Sequence, residues 1–158
     1  MIRFSAVGRD VEVVLDGSEV AILASLTNLL ASAGTERGDP ASARLNPSVY
    51  RDDAAASREF ERFASRERDE VRNEDRVRFG EMVQAATKGP LLLQPDDAAV
   101  WARVLGEARI VIAARKGLFE EGLPTEAPTD PQVALVVLLG YLQEELAGEM
   151  LKTMEDSP

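Results

Sequence analysis

Ile2, Phe4 and Ala6 alternate with Arg3 and Ser5 at the start of the chain, and Val11, Val13 and Leu15 alternate with Glu12 and Val14. A two-residue period marks a half-buried strand, and Gly8-Arg9-Asp10 between the runs supplies a turn, so residues 1–16 are predicted to form a β-hairpin. Asp16-Gly17-Ser18 breaks the second strand. The period then lengthens to that of a helix, with Leu23, Leu26, Leu30 and Ala33 on one face, Ser18 as its cap and Gly34 as its stop. Residues 35–48 are rich in Gly, Pro, Ser and Asn and are read as a flexible surface loop.

From Asp52 no Pro or Gly interrupts the chain until Gly80, which predicts a long helix with Asp52 or Asp53 at its N-terminus. Phe60, Phe63, Ala64 and, further on, Val71 give it a thin apolar stripe. A break near Asn73 would separate a second amphipathic piece carrying Val77, Met82, Val83 and Ala86 and ending at Lys88-Gly89-Pro90. Pro95-Asp96-Asp97 opens the next helix, whose apolar face is Val100, Trp101, Val104, Leu105, Ala108, Val111 and Ile112. Ala102 and Gly106, four apart on it, leave room for a neighbouring helix. After a Gly/Pro loop at 117–128, Thr129 or Asp130 caps a last helix that is apolar nearly all round from Val133 to Leu142. Such a helix belongs at the centre of a bundle or in a subunit interface. The pattern as a whole predicts one mainly α domain over residues 1–158: a bundle of four to five helices with a small N-terminal β-hairpin.

Composition narrows the chemistry. The 158 residues include no cysteine and no histidine, which removes disulfides, thiolate nucleophiles, imidazole bases and zinc sites built on Cys or His. Lys and Arg number 18 against 28 Asp and Glu, a net charge of −10 that disfavours unspecific contact with nucleic acid or anionic lipid. The opening MIRFSAVGRDVEV has no apolar stretch after its basic residue, and ten apolar residues at 133–142 fall short of the about 20 that span a bilayer. The expected setting is the cytoplasm, without membrane contact.

Motifs for dinucleotides, P-loop nucleotides, zinc proteases and EF-hand calcium are missing from the sequence. Asp52-Asp53 and Asp96-Asp97 are read as helix-start acids stabilised by the helix dipole, and Glu120-Glu121 and Glu144-Glu145 as solvated surface. No catalytic, cofactor or metal site is assigned, and a non-enzyme is expected.

Arginine is the residue type that invites a functional reading. Arg58, Arg62 and Arg66 lie at i, i+4 spacing, as do Arg68, Arg72 and Arg76, and seven acids between residues 58 and 78 offset the seven arginines there. The helix is therefore either a self-neutralising exposed one, or its Arg58, Arg62, Arg66 column meets an acidic partner: another helix of the chain, a second subunit, a regulatory protein or phosphate. Arg109 and Arg115 stand in or beside an apolar helix, where their stems either snorkel along it or pair with buried carboxylates such as Glu145 to fix the packing register. Trp101 and Tyr50 are read as core and loop anchors with their polar atoms near the surface.

Three stretches resemble one family. Pro47-Ser-Val-Tyr50-Arg51-Asp52-Asp53, with Ala54 and Phe60 after it, looks like the Pro-x-x-Tyr, acidic, Glu-Phe-Arg-Arg element of an actinobacterial domain of unknown function, some members of which are named oxidative stress regulators. Trp101-Ala-Arg-Val104-Leu105 through Ala108-Arg109-Ile-Val111 is similar to its Trp-x-x-x-Leu-Asn-x-x-Arg-Leu-Val element, and Gly140-Tyr141-Leu142-Gln143-Glu144 to its C-terminal Leu-Gly-x-Leu-Gln-Glu helix. Order and spacing agree over nearly the whole chain. Ile112-Ala113-Ala114-Arg115-Lys116 departs from the Leu-Gly-x-Arg-Leu expected there but keeps the arginine.

The resemblance implies a genomic setting beside a Clp-protease adaptor and genes for sulfur-carrier-dependent cysteine synthesis, and a regulatory role that a chain without cysteine cannot exert through a thiol pair. The resulting expectation is a non-enzymatic regulatory protein working by protein–protein contact in oxidative-stress or cysteine-supply gene regulation. Its contact residues are expected among Tyr50, Arg51, Arg58, Arg62, Arg66, Arg109 and Arg115, and its partner is a regulatory protein or a second copy. The alternatives are a direct DNA-binding regulator using the 58–78 helix, and a structural homodimer or adaptor with 133–142 as its interface.

Overall fold

The computed structural model describes residues 1–33, 38–45 and 54–155, the side chains of 42, 43 and 54–66 excepted. Strands β1 (Arg3–Val7) and β2 (Asp10–Val14) form the expected hairpin. Gly8 takes a positive φ of 62° at the first turn position, the conformation that a two-residue hairpin turn asks of glycine. A third antiparallel strand, β3 (Leu91–Leu93), pairs with β2 and was not foreseen in the sequence. The register aligns Phe4 with Val13 and Leu91, and Ala6 with Val11 and Leu93, so one face of the sheet carries the apolar positions into the core.

Helix α1 (Gly17–Ser32) buries Leu23, Leu26 and Leu30 as their spacing predicts. Its cap is Asp16 and not Ser18: the Asp16 carboxylate accepts from the Glu19 amide at 2.8 Å and from the Ser18 hydroxyl at 2.7 Å. Those bonds hold the Asp16 carboxyl well below its ordinary range. Within the segment read as a loop, Pro40–Leu45 forms a short helix, α2.

Helix α3 (Ala54–Ala85) runs without a break through Asn73 and Gly80, and a 3-10 turn follows at Ala86–Lys88. Its rotational setting differs from the expected one. Val71 and Val77 are 54% and 62% exposed, whereas Phe79, Val83 and Ala86 are buried. The same inward face, continued toward the N-terminus, carries Asp75, Arg72 and Arg76, so the helix turns charged residues toward its neighbours and leaves two valines in water.

Helix α4 (Pro95–Arg115) is the hub. All seven residues of its predicted apolar face are buried. The Trp101 ring meets Phe79 of α3 at 4.9 Å between centroids and Phe4 of β1 at 6.2 Å, both edge to face. Trp101 is fully buried, and its indole N–H has no hydrogen-bond partner among the described residues, so the polar atom is not at the surface.

After a single turn of helix, α5 (Leu118–Glu121), Asp130 caps α6 (Pro131–Glu155) by accepting from the Gln132 amide. Val136, Leu139, Leu142 and Leu146 of α6 are buried, while Val137, Leu138 and Tyr141 face outward. The helix flanks the bundle and does not occupy its centre. Glu149 ties it to β1 by accepting from the Ala6 amide at 3.0 Å. No helix among the described residues is long and apolar enough to cross a membrane.

Candidate functional site

Tyr50 and Arg51 lie outside the described residues, and Arg58, Arg62 and Arg66 belong to α3 with side chains that are not described. The second arginine column is placed, and it turns inward. Helices α3 and α4 run antiparallel, so charges ascending one meet charges descending the other. Arg78 donates to Asp97 through Nε at 2.6 Å. One step along, Arg103 donates to both oxygens of Asp75 at 2.8 and 3.0 Å. Further still, Glu107 stands between Arg72 at 3.5 Å and Arg76 at 3.8 Å. Arg72 also donates to the Leu45 carbonyl at the end of α2. The first turn of α4 is thus more than an acidic helix start, because Asp97 also anchors α3.

Of this array, Glu107 is the least well served. Its Oε2 accepts no hydrogen bond among the described residues. Burial pushes its carboxyl above the ordinary range, and the attraction of Arg72 and Arg76 opposes that without cancelling it. An acid whose folded-state pKa is raised binds its proton more tightly folded than unfolded. The penalty for ionising it is therefore absent at low pH and complete above the folded pKa. Glu107→Gln is expected to raise the urea midpoint at pH 7, with the gain shrinking as pH falls through the raised Glu107 pKa toward the ordinary carboxylate value. Paired melts at pH 7 and pH 4 check this; a variant less stable than wild type at pH 7 would show that the two arginines outweigh burial.

Arg109 and Arg115 are both placed, and neither pairs with Glu145. Arg109 crosses the α4–α6 contact and donates from Nη1 to the Gln143 side chain at 2.7 Å. Gln143 in turn donates to the Ala102 carbonyl at 3.2 Å. Two glycines make room for this exchange. A Cβ on Gly106 would stand 2.7 Å from Gln143 Nε2, and one on Gly140 would stand 3.2 Å from the Arg109 guanidinium. The close approach foreseen at Ala102 and Gly106 is taken up by a side-chain amide.

Arg115 donates to both oxygens of Asp39, at 2.7 and 3.3 Å, and to the Ser32 hydroxyl at 3.2 Å. Sequence reasoning flagged the two arginines but missed Gln143, Asp39, Asp75, Arg103 and Glu107. The i, i+4 pair Arg103 and Glu107 on α4, matched to Arg72, Asp75 and Arg76 on α3, was the available signal.

Two clefts open near these contacts. One, of about 340 Å³, is lined by Arg78, Asp97, Val100 and Arg103; the other, about 490 Å³ and mostly apolar, lies between Arg9, Pro95, Met150 and Met154. Among the described residues no group of three or more carboxylates is arranged to hold a metal ion.

A family model described as a domain of unknown function (DUF2017) matches residues 1–150. The chain belongs to that family. No curated protein and no solved structure matches it. The DUF2017 match takes in the sheet, all of α4 and most of α6, so the ionic array, the Arg109–Gln143 exchange and the Arg115–Asp39 pair all fall inside the DUF2017 region.

Proposed function

We propose that this DUF2017 protein is a non-enzymatic, cytoplasmic regulatory protein that acts by contact with another protein, in gene regulation connected with oxidative stress or cysteine supply. The outward face of α6 carries the reading: Val137, Leu138 and Tyr141 stand in water on a chain with a net charge of −10, in which Arg72, Asp75, Arg76 and Arg78 of α3 are engaged with Asp97, Arg103 and Glu107 of α4. Exposed apolar groups in a row mark contact with another macromolecule more often than chemistry. The regulatory field comes from the resemblance to an actinobacterial family with members named oxidative stress regulators. Engagement of Arg72, Arg76, Arg78 and Arg103 by carboxylates of the chain leaves fewer cations for phosphate and weighs against a DNA reader built on α3.

Affinity capture from native cytosol and an electrophoretic shift series test this together. Wild-type protein is expected to retain a defined partner that the Arg58, Arg62, Arg66 to Ala variant retains less well, and to leave promoter DNA unshifted at low salt. Retarded DNA with a steep salt slope would replace this reading with direct DNA binding.

A further inference from the structure

We infer that the outer face of α6 is the interface of a symmetric homodimer, in which two copies of the helix pack antiparallel. The proposal rests on the same exposed face of α6 as the regulatory reading and names its occupant as a second copy of the chain. Ala134, Val137, Tyr141, Glu144, Gly148 and Leu151 recur at helical spacing on the side of α6 turned from the core, with Leu138 and Ala147 flanking them. Leu151 is 61% exposed, and nothing lies within 4 Å of the place where a Gly148 Cβ would stand.

A two-fold interface requires each position to suit the position that the axis sets opposite it. For an axis between residues 142 and 143, Val137 faces Gly148 of the second copy and Ala134 faces Leu151. Large meets small at both, the alternation by which facing helices interdigitate. Tyr141 then faces Glu144, one residue type wet at its tip and the other charged.

Charge complementarity singles out a second copy as the occupant. Arg109, half-buried beneath Gly140, makes its one hydrogen bond to Gln143, and no carboxylate lies within ion-pairing distance of it among the described residues. The same axis brings the second copy's Glu144 beside that guanidinium, and symmetry makes the contact twice. A half-buried arginine given its carboxylate gains a charge-assisted hydrogen bond where water is scarce. Opposing this, the two copies each carry −10, a repulsion that salt screens over a Debye length of about 8 Å at physiological ionic strength. Self-association should therefore strengthen with salt, opposite to what binding to nucleic acid does.

Sedimentation equilibrium reads the result directly. Wild type is expected to approach twice the 17.2 kDa chain mass as concentration rises from low micromolar, and to do so sooner at higher salt. Gly148→Leu, whose Cβ meets nothing within 4 Å among the described residues, should weaken association by about tenfold or more while the protomer melts no lower than wild type, leucine being the better helix former. Adding Val137→Ala, which returns the lost space across the axis, should recover it, whereas Val137→Ala alone should not strengthen pairing. Glu144→Lys, placing like charges together, should weaken it as well. A strict monomer up to near-millimolar concentration overturns the proposal, and a dimer indifferent to Gly148→Leu and Glu144→Lys overturns the placement. Neither result depends on capturing a regulatory partner, so this inference and the proposed function fail separately.

Discussion

Trp101→Ala is expected to lower the free energy of unfolding by about 3–5 kcal/mol, the range for removing a large aromatic from a packed interior. Trp101 is where sheet, α3 and α4 meet: Phe4 and Phe79 both present their edges or faces to it, and none of the three rings is reached by appreciable solvent. Emptying that position removes the contact that joins three elements, and the rings around it can close the void only by shifting the helix and strand that carry them. Trp101→Phe makes a sharper test. It keeps one six-membered ring for Phe79 to pack on and deletes an indole N–H that finds no acceptor among the described residues, so the loss of volume is offset by removal of that donor. Urea titrations should rank wild type above Trp101→Phe and Trp101→Phe well above Trp101→Ala; equal costs for the two variants would mean that the N–H, not the ring, is what the site depends on.

How much of this was legible beforehand follows from which residues line each interface. Apart from Asp97 every buried residue of α4 is apolar, so its period reads cleanly and all seven predicted residues are buried. The hairpin and the Leu23, Leu26, Leu30 face of α1 were legible for the same reason. Helix α3 was not: its inward face holds Arg72, Asp75 and Arg76 before it reaches Phe79, and a rule that sends apolar residues inward selects Val71 and Val77 instead. Tertiary pairing of charges overrode the hydrophobic phase. Strand β3 is three leucines long, too short for any period, and exists because β2 offers it an edge. In α6 the apolar run was read correctly as a sequence, but only one side of it meets the bundle.

For the site, the two arginines in the Trp101 helix stood out as charges in apolar company. Their partners did not, since Gln143 is 34 residues from Arg109 and Asp39 is 76 from Arg115. The sequence analysis named Glu145, which shares a helix with Gln143 two positions away; only the rotation of α6 about its axis decides which of them meets α4.

Arg115→Met is expected to destabilise the protein by about 2–4 kcal/mol, and to do so locally before it does so globally. Removing one member of a buried ion pair typically costs about 3–5 kcal/mol because the other charge stays behind. Here the Asp39 side chain is 2% exposed while that of Arg115 is 27% exposed, so water reaches one side of the pair and trims the cost. The Asp39 carboxylate also has a second task. Asp39 accepts from the Ala41 amide at 3.0 Å and so starts α2, which gives fully buried Ala41 to the core and is held at its far end by Arg72 on the Leu45 carbonyl. Arginines from α4 and α3 thus clamp a helix of six residues, too short to persist by its own propensity. Hydrogen exchange at the α2 amides should accelerate in Arg115→Met under conditions where α4 remains protected, and urea melts should show the global loss. Arg115→Lys should recover little, because an ammonium cannot span both carboxylate oxygens and the Ser32 hydroxyl as the planar guanidinium does. In the Asp39→Asn, Arg115→Met double variant the buried charge is gone, so its cost should fall well short of the sum of the single costs. Additive costs, or unchanged α2 exchange in Arg115→Met, would show that the clamp is an ornament of the surface and that α2 is held by Ala41 alone.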